Sequence, residues 1–329
     1  MFIVTGVAGF IGSALISKLN SMGIRDILVV DALGKSEKWK NLVGKDFVDY
    51  IHKDAFIEQI RLNEFPLTPQ CIYHFGACSS TTELDAEYLM TNNFHYTRDL
   101  AQWALTNNVR FIYASSAATY GDGIKAKEGN VQFIDDDQVT PKLQPLNMYG
   151  YSKQLFDLWA LKSGAYQRIA GLKLFNVYGP NEYHKGNMSS VVFKAYQQVL
   201  DTGKIKLFKS YRKEFQHGEQ RRDFIYVKDV VDVIWQITHA PNINGIFNLG
   251  TGKARTWNDL ALSVFKALGV KPNIEYIDMP PELILKYQYH TQADMDKLSQ
   301  VGIKPFFTPL EDAVRDYVVN YLEKGPAHL

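Results

Sequence analysis

The segment TGVAGFIG, residues 5–12, constrains this chain more than any other stretch. It sets Gly6, Gly9 and Gly12 between an apolar run, FIVT at 2–5, and a helical pattern that begins at about Phe10. A strand that passes through spaced glycines into a helix presents free backbone N–H groups at the helix N-terminus, where the dipole favours anions. The spacing G-x-x-G-x-x-G is one residue longer than the dinucleotide fingerprint G-x-G-x-x-G, but the physical need is the same. Small residues let the main chain turn tightly and approach a pyrophosphate. Glycines also simply make turns, so context separates the two readings. Asp31 closes the next apolar run, ILVVD at 27–31, about 20 residues beyond the loop, where an acidic residue accepts a hydrogen bond from a ribose and favours NAD. Lys35, Lys38 and Lys53 follow; each is either a solvated surface charge or a partner for a ribose 2′-phosphate.

The first half alternates short apolar runs with helical stretches. CIYHF (71–75) precedes a helix from about Leu84 to Leu105, and RFIYAS (110–115) is followed by a polar, proline-containing loop, a helix from about Tyr149 and the strand GLKLFN (171–176). Near-continuous apolar strands of this kind suit a parallel sheet covered on both faces, hence an α/β, doubly wound architecture with ligands at the carboxyl ends of the strands. Beyond about Gly179 the pattern loosens. A helix near 188–201 and a short strand KLF lead to KSYRKEFQHGEQRR, which reads as an exposed charged loop. DFIYV, a helix from Asp229 and GIFNLG restore the alternation, and helices near 256–268 and 309–323 flank Pro280 and Pro281. The expected division is a cofactor domain over 1–178, with 224–250 returning to it, and a smaller C-terminal lobe over 179–329 that contacts substrate. A length of 329 residues accommodates one large α/β domain with such a lobe.

Composition removes several function classes. With 36 basic and 35 acidic residues the net charge is +1, which gives no field for nucleic acid or an anionic membrane, so an anionic ligand must be held by local lysines and arginines. The apolar N-terminus lacks a basic leader and is broken by glycines, unlike a signal peptide, and no run of about 18 apolar residues occurs. Cys71 and Cys78 flank an apparent strand that would hold them roughly 23 Å apart, too far to bridge, and two unpaired cysteines suggest the cytoplasm. His74, His184, His217 and His290 have no metal-ligand spacing and no CxxC exists, so no catalytic metal is expected. His74, within an apolar strand, is expected to be a hydrogen-bonded core histidine. Ser115 and Ser116 lack the G-x-S-x-G context of an esterase nucleophile.

YGYSK puts Tyr149 and Lys153 four apart at the start of a helix, on one face. A neighbouring ammonium favours phenolate, so Tyr149 is expected to have a lowered pKa and to move a proton on and off an alcohol. ASSAATYG ends a strand and leaves Ser115 and Ser116 to hydrogen-bond the same alcohol. The competing reading of Y-x-x-x-K is an ordinary amphipathic helix; the order glycine loop, SS…YG, Y-x-x-x-K favours chemistry. Two cations stay open on residues alone. Lys185, in YHKG after FNVYGP, is a solvated charge or a second base at the carboxyl end of a strand, and Arg222, in RRDF, clamps a diphosphate or pairs with Asp223.

These motifs resemble the extended short-chain dehydrogenase/reductases that act on nucleotide sugars. The resemblance spans nearly the whole chain, through TGVAGFIG, GACSSTT, ASSAATYG, YGYSK, FNVYGP, RRDFIYVKD and FNLGTG. Within that superfamily GACSSTTE, SSAATYG, NVYGP with HKG, and KYQYHTQAD are similar to the ADP-heptose epimerases. The resemblance implies a Rossmann-like fold and an ADP-heptose substrate inverted at C6″, by oxidation to a ketone and hydride return to the opposite face. It implies NADP rather than NAD, recycled within each turnover and held by Gly6, Gly9, Phe10, Ile11, Gly12, Asp31, Ala32, Lys38, Lys53, Phe75, Gly76, Ala77, Cys78, Ser79, Asn92, Tyr149, Lys153, Val177 and Lys185. Ser116, Tyr149 and Lys153 would be catalytic, with Lys185 the second base. Asn176, Asn187, Lys194, Phe208, Lys209, Ser210, Tyr211, Arg222 and Tyr287 would contact substrate. It further implies a cytoplasmic homo-oligomer, a pentamer or similar, in lipopolysaccharide core biosynthesis. Lys194, Asn187 and Ala32 depart from the family's histidine, serine and asparagine, and the loop from Phe208 to Arg222 is longer than the family pattern. A 4,6-dehydratase needs an Asp-Glu pair where this chain has Ala117 and Ala118. A UDP-sugar 4-epimerase shares the serine, tyrosine and lysine, whereas a non-catalytic dinucleotide-binding protein commonly loses the tyrosine or lysine that are both present here.

Overall fold

β1 (Phe2–Thr5) ends at the glycine loop and α1 (Phe10–Ser21) starts on its far side, in a computed structural model that describes residues 1–125, 131–284 and 287–329. β2 (Ile27–Asp31) and β3 (Asp49–His52) extend the sheet on one side of β1, and α2 (Lys53–Leu62) then carries the chain across. β4 (Cys71–His74) lies on the other side. It leads to α3 (Ala86–Leu89), a π-helical turn over Met90–His95, α4 (Tyr96–Thr106) and β5 (Arg110–Ser116). A short hairpin of β6 (Ile124–Lys125) and β7 (Val131–Gln132) precedes α5 (Met148–Lys162), β8 (Ala170–Leu174) and β9 (Asn176–Tyr178). The remainder comprises α6 (Val191–Thr202), β10 (Ile205–Phe208), β11 (Arg221–Tyr226), α7 (Val227–Thr238) and β12 (Gly245–Leu249). β13 (Ala254–Thr256), α8 (Trp257–Leu268), β14 (Ile274–Ile277), α9 (Pro281–Ile284), α10 (Asp296–Gln300) and α11 (Leu310–Tyr317) complete it.

Seven strands form one parallel sheet in the order β12-β8-β5-β4-β1-β2-β3. The chain runs outward from β1 to β3 and then restarts at β4 on the opposite side, so the order reverses between β1 and β4. Crossover connections leave in opposite directions there and open a crevice over the strand ends. Both faces are covered, as the continuous apolar strands require. Leu15, Ile16 and Leu19 of α1 pack with Val230, Ile234 and Ile237 of α7 on one face, while Phe56, Ile60, Leu100 and Phe156 fill the other. Among the described residues no helix is long and apolar enough to cross a membrane.

Two expectations need correction, and one strand has no counterpart among them. GLKLFN is not one strand: Val177 N–H donates to Phe175 O at 2.9 Å, the chain turns there, and Asn176–Tyr178 leaves the large sheet to pair with β11. The charged segment 209–222 is not exposed to its end, because Arg222 and Gln220 are buried as the chain enters β11. β3 was not expected at all; DYIH is a half-exposed edge strand with neither an apolar run nor a clean alternation. Lys286, which opens KYQYHTQAD, lies outside the described residues. Cys71 and Cys78 are free thiols, and His74 is fully buried between Thr5 Oγ1 (2.7 Å) and Thr97 Oγ1 (2.8 Å), as expected. Burial without a compensating anion pushes the His74 pKa down to about 3.

Candidate active site

A cavity of about 590 Å³ crosses the carboxyl ends of β1, β4, β5 and β8. Its floor is the glycine loop. Gly6 takes φ +67°, and a Cβ there would lie 2.5 Å from Gly76 N; a Cβ on Gly12 would lie 2.3 Å from Gly6 O. No larger side chain fits either position, so the backbones of the loop and of the 75–78 segment come together. Gly9 caps α1 with no side chain, leaving the first-turn N–H groups of the helix to face the cavity. A cradle of this shape and donor set fits the pyrophosphate of a dinucleotide.

At the outer rim, Asp31 ends β2. Its Oδ2 accepts from Ala8 N at 2.8 Å, while Oδ1 accepts from Ala32 N and Lys38 Nζ, both at 2.7 Å. The carboxylate is therefore tied to the glycine loop and neutralised by Lys38. Lys53 lines the same rim and pairs with the exposed Asp54 at 3.0 Å. All nineteen residues expected to hold the cofactor line this one cavity, as do Ser116 and Asn176.

α5 places the tyrosine–lysine pair on the opposite wall. Asn147 caps the helix by accepting from Gly150 N, and Gly150 packs so close to Ala118 O that a Cβ there would lie 2.6 Å from it. This fixes the start of α5 against the end of β5, where Ser116 faces the Tyr149 hydroxyl. Lys153 is buried and donates to Ala114 O at 2.8 Å. Burial pushes its pKa down to about 8, against the opposing pull of Asp157. Here the expected lowering of the Tyr149 pKa fails. Burial raises it and Ser116 lowers it only in part, because the lysine is directed at a backbone carbonyl rather than at the phenol. Beneath the pair, Lys173 and Asp157 form a fully buried ion pair at 2.8 Å, and Asp157 also accepts from Ser115 Oγ at 2.7 Å.

Lys185 reaches the cavity from the 3₁₀ segment Tyr183–Met188, with its ammonium 5.3 Å from the centre of the Phe10 ring. Burial lowers its pKa; Glu182 opposes that shift and Lys194 reinforces it. It is not a freely solvated loop charge. Tyr88, His184 and Trp257 also line the cavity, though the sequence does not mark them as wall residues. Adjacency to Lys185 was the available signal for His184; nothing local marked the other two.

The residues expected to contact substrate scatter. Asn187 is exposed, and Lys194 Nζ donates to Asn187 O at 2.7 Å; neither lines the cavity. Lys209 pairs with Asp278 at 3.0 Å, and Tyr211 N donates to Tyr289 Oη at 2.8 Å, while Ser210 N donates to His217 Nδ1 at 3.0 Å. Arg222 makes no ion pair with Asp223. It donates to Arg221 O and Gln288 O at 2.8 and 2.6 Å and lies over the rings of Trp257 and Tyr287. Tyr287 accepts from Trp257 Nε1 at 2.9 Å and meets Phe208 edge-on. Phe208, Arg222 and Tyr287 thus form one cluster around Trp257; of these four only Trp257 lines the cavity.

A glycine-loop cradle and a serine–tyrosine–lysine wall, on a sheet that reverses between β1 and β4, define a dinucleotide-binding fold of the kind that carries oxidation–reduction at an alcohol. The chain belongs to the NAD dependent epimerase/dehydratase family, whose model matches residues 2–250. It is 55% identical to the ADP-L-glycero-D-manno-heptose-6-epimerase of Nitratidesulfovibrio vulgaris (strain Hildenborough), with 100% of both chains covered. Identity to the protein of that name from Fusobacterium nucleatum is 46%, again over 100% of both chains. The crystal structure of Helicobacter pylori ADP-L-glycero-D-manno-heptose-6-epimerase superposes with a TM-score of 0.80 at 28% identity, covering 97% of this chain and 95% of that one.

Proposed function

We propose that this chain is an ADP-glyceromanno-heptose 6-epimerase that interconverts ADP-D-glycero-D-manno-heptose and ADP-L-glycero-D-manno-heptose. The observation that carries the reading is the arrival of two proton-handling groups, Tyr149 and Lys185, from different elements at one cavity. Relatives of that name matching the full chain give it independent support. The cofactor is a nicotinamide dinucleotide, which when bound supplies a hydride acceptor and donor at C6″. Its pyrophosphate would rest on the Gly6–Gly12 loop, its adenosine ribose at Asp31 and Lys38, and its nicotinamide ribose at Tyr149 and Lys153. NADP is the finer reading, because Lys38 already neutralises Asp31 and leaves the rim without a net negative charge to repel a 2′-phosphate.

Tyr149 handles the hydroxyl proton on one face of C6″, with Ser116 bonded to the same oxygen. Inversion requires the ketone to present its other face, by rotation about the bond to the sugar ring. Rotation carries the carbonyl oxygen away from Tyr149, and Lys185 moves the proton on the new side. As an ammonium it donates to the developing alkoxide; its lowered pKa gives the free amine needed for the reverse direction. The lobe over 179–329, apart from the strand returned to the large sheet, carries the ADP end of the substrate near Arg222 and its aromatic neighbours. A panel of ADP- and UDP-sugars offered to the purified protein tests the function. Inversion of ADP-heptose alone is the expected result; conversion of UDP-glucose to UDP-galactose with ADP-heptose left untouched would overturn it.

A further inference from the structure

Glu182 has no solvent-exposed surface, and the chemistry above gives it no role. It lies three residues before Lys185. Its Oε1 accepts from Ser190 Oγ at 2.7 Å and from Gly179 N at 3.3 Å, and its Oε2 accepts from Ser190 N. Gly179 follows the last residue of β9, and Ser190 caps α6 by accepting from Phe193 N. One carboxylate therefore ties the exit of a strand to the entry of a helix, and the segment that carries Lys185 is the arch between them. The arch is fastened a second time where Lys185 N donates to Glu182 O at 3.0 Å.

The donors to Glu182 are neutral, so they satisfy its lone pairs without cancelling its charge. A buried carboxylate in that state needs a cation nearby. Burial pushes the Glu182 pKa up, and the Ser190 and Gly179 donors and the charge of Lys185 oppose that shift. Tyr317 and Tyr183 lie near as well, the Tyr183 hydroxyl donating to Ala327 O at 2.7 Å. Lys185 in turn faces Glu182, Lys194, His184 and the Phe10 ring, with Lys38 and Asp31 beyond His184. Glu182 is thus the anion set against the burial of Lys185.

We propose that Glu182 is a positioning residue for Lys185: its carboxylate fixes the arch that carries the lysine and sets a buried negative charge beside the ammonium. The proposal rests on the reading of Lys185 as the second base. Where the free amine is the base, kcat/KM rises with pH through the Lys185 range. Removing the Glu182 charge makes the ammonium less stable, so that limb must move to lower pH.

The test is the pH dependence of kcat/KM for epimerisation by the full chain with its cofactor, in wild type, Glu182→Gln, Ser190→Ala and Lys185→Met. Glutamine with its amide NH₂ at the Oε1 position keeps the acceptor for Ser190 N, and the Ser190 hydroxyl can rotate to accept, so only the long Gly179 contact is lost. Glu182→Gln is expected to displace the limb by about one unit to lower pH. Ser190→Ala keeps the charge and removes one donor, so it should lower kcat with the limb in place. A Glu182→Gln profile lowered at every pH but unmoved would mark a merely structural residue and overturn the proposal. If Glu182→Gln does not fold, Glu182→Asp carries the test: kcat should fall about tenfold with the limb unmoved, whereas unchanged kcat or a displaced limb would overturn it. Lys185→Met with wild-type epimerisation would remove the underlying reading instead. An inactive Lys185→Met beside an unmoved Glu182→Gln limb would remove the Glu182 proposal alone.

Discussion

At the glycine-loop end of the cavity, contacts join residues at the ends of adjacent parallel strands: Gly6 against Gly76, and Asp31 with Ala8. Beyond the cavity wall at Trp257, Arg222 sits among Trp257, Tyr287 and Gln288 O, brought together from β11, the start of α8 and the stretch after α9. The first arrangement follows from strand order alone, since β1, β2 and β4 can pair in parallel only by setting their carboxyl ends side by side. The second depends on β13 pairing antiparallel with β11, and on β10 pairing with β14 some distance along the chain. The glycine-loop end is held by the large sheet, while the Arg222 cluster is held by loops and two small sheets. Substitutions should therefore cost most at the cofactor and catalytic wall and least in the lobe.

The largest effect is expected from Tyr149→Phe, which removes only the proton-transfer oxygen. Epimerisation should fall about 10³-fold while cofactor binding stays near wild type, as read by steady-state rates and a dinucleotide titration. A rate within a few-fold of wild type would strip Tyr149 of its role. Next comes Lys38→Ala. A charge-assisted contact to a 2′-phosphate makes the loss specific, so NADP binding should weaken about tenfold more than NAD binding. Equal losses would assign Lys38 to Asp31 alone. The smallest change is expected from Lys194→Ala. Its part-exposed ammonium donates to a backbone carbonyl and adds one repulsion to Lys185, so KM and kcat for ADP-heptose should each change by no more than about threefold. A tenfold rise in KM would show that the lobe closes on substrate far more than its present spacing suggests, and would narrow the contrast between the two ends.

Legibility followed the same divide. The loop glycines, Asp31, the end of β5 and the Tyr149–Lys153 pair were readable because each motif carries its own local geometry: a turn, a strand end, a helical spacing of four. Their gathering at one cavity followed from strand–helix alternation. β3 escaped notice because an edge strand is half-solvated and shows no period. Arg222 was readable as important but not in its setting, since neither Trp257 nor Tyr287 lies near it in sequence. The Tyr149 pKa departs from expectation for a related reason. Helical spacing puts Lys153 on the same face, but spacing does not say that the ammonium bonds Ala114 O or that burial outweighs its charge. Lys185 stood between these cases, with its position after a strand visible and its burial against Phe10 not.

The proposed chemistry is inversion at C6″ by hydride removal and return, with Tyr149 and Lys185 handling protons on opposite faces. The most direct test is to let the wild-type protein epimerise ADP-D-glycero-D-manno-heptose in deuterium oxide and to analyse C6″ of the product by mass spectrometry and NMR. The expected product is ADP-L-glycero-D-manno-heptose with no solvent deuterium on C6″, because in this chemistry the hydrogen removed from that carbon returns to it without exchange. Deuterium on C6″ of the inverted product would mean that the carbon loses and regains a proton, and would contradict that chemistry.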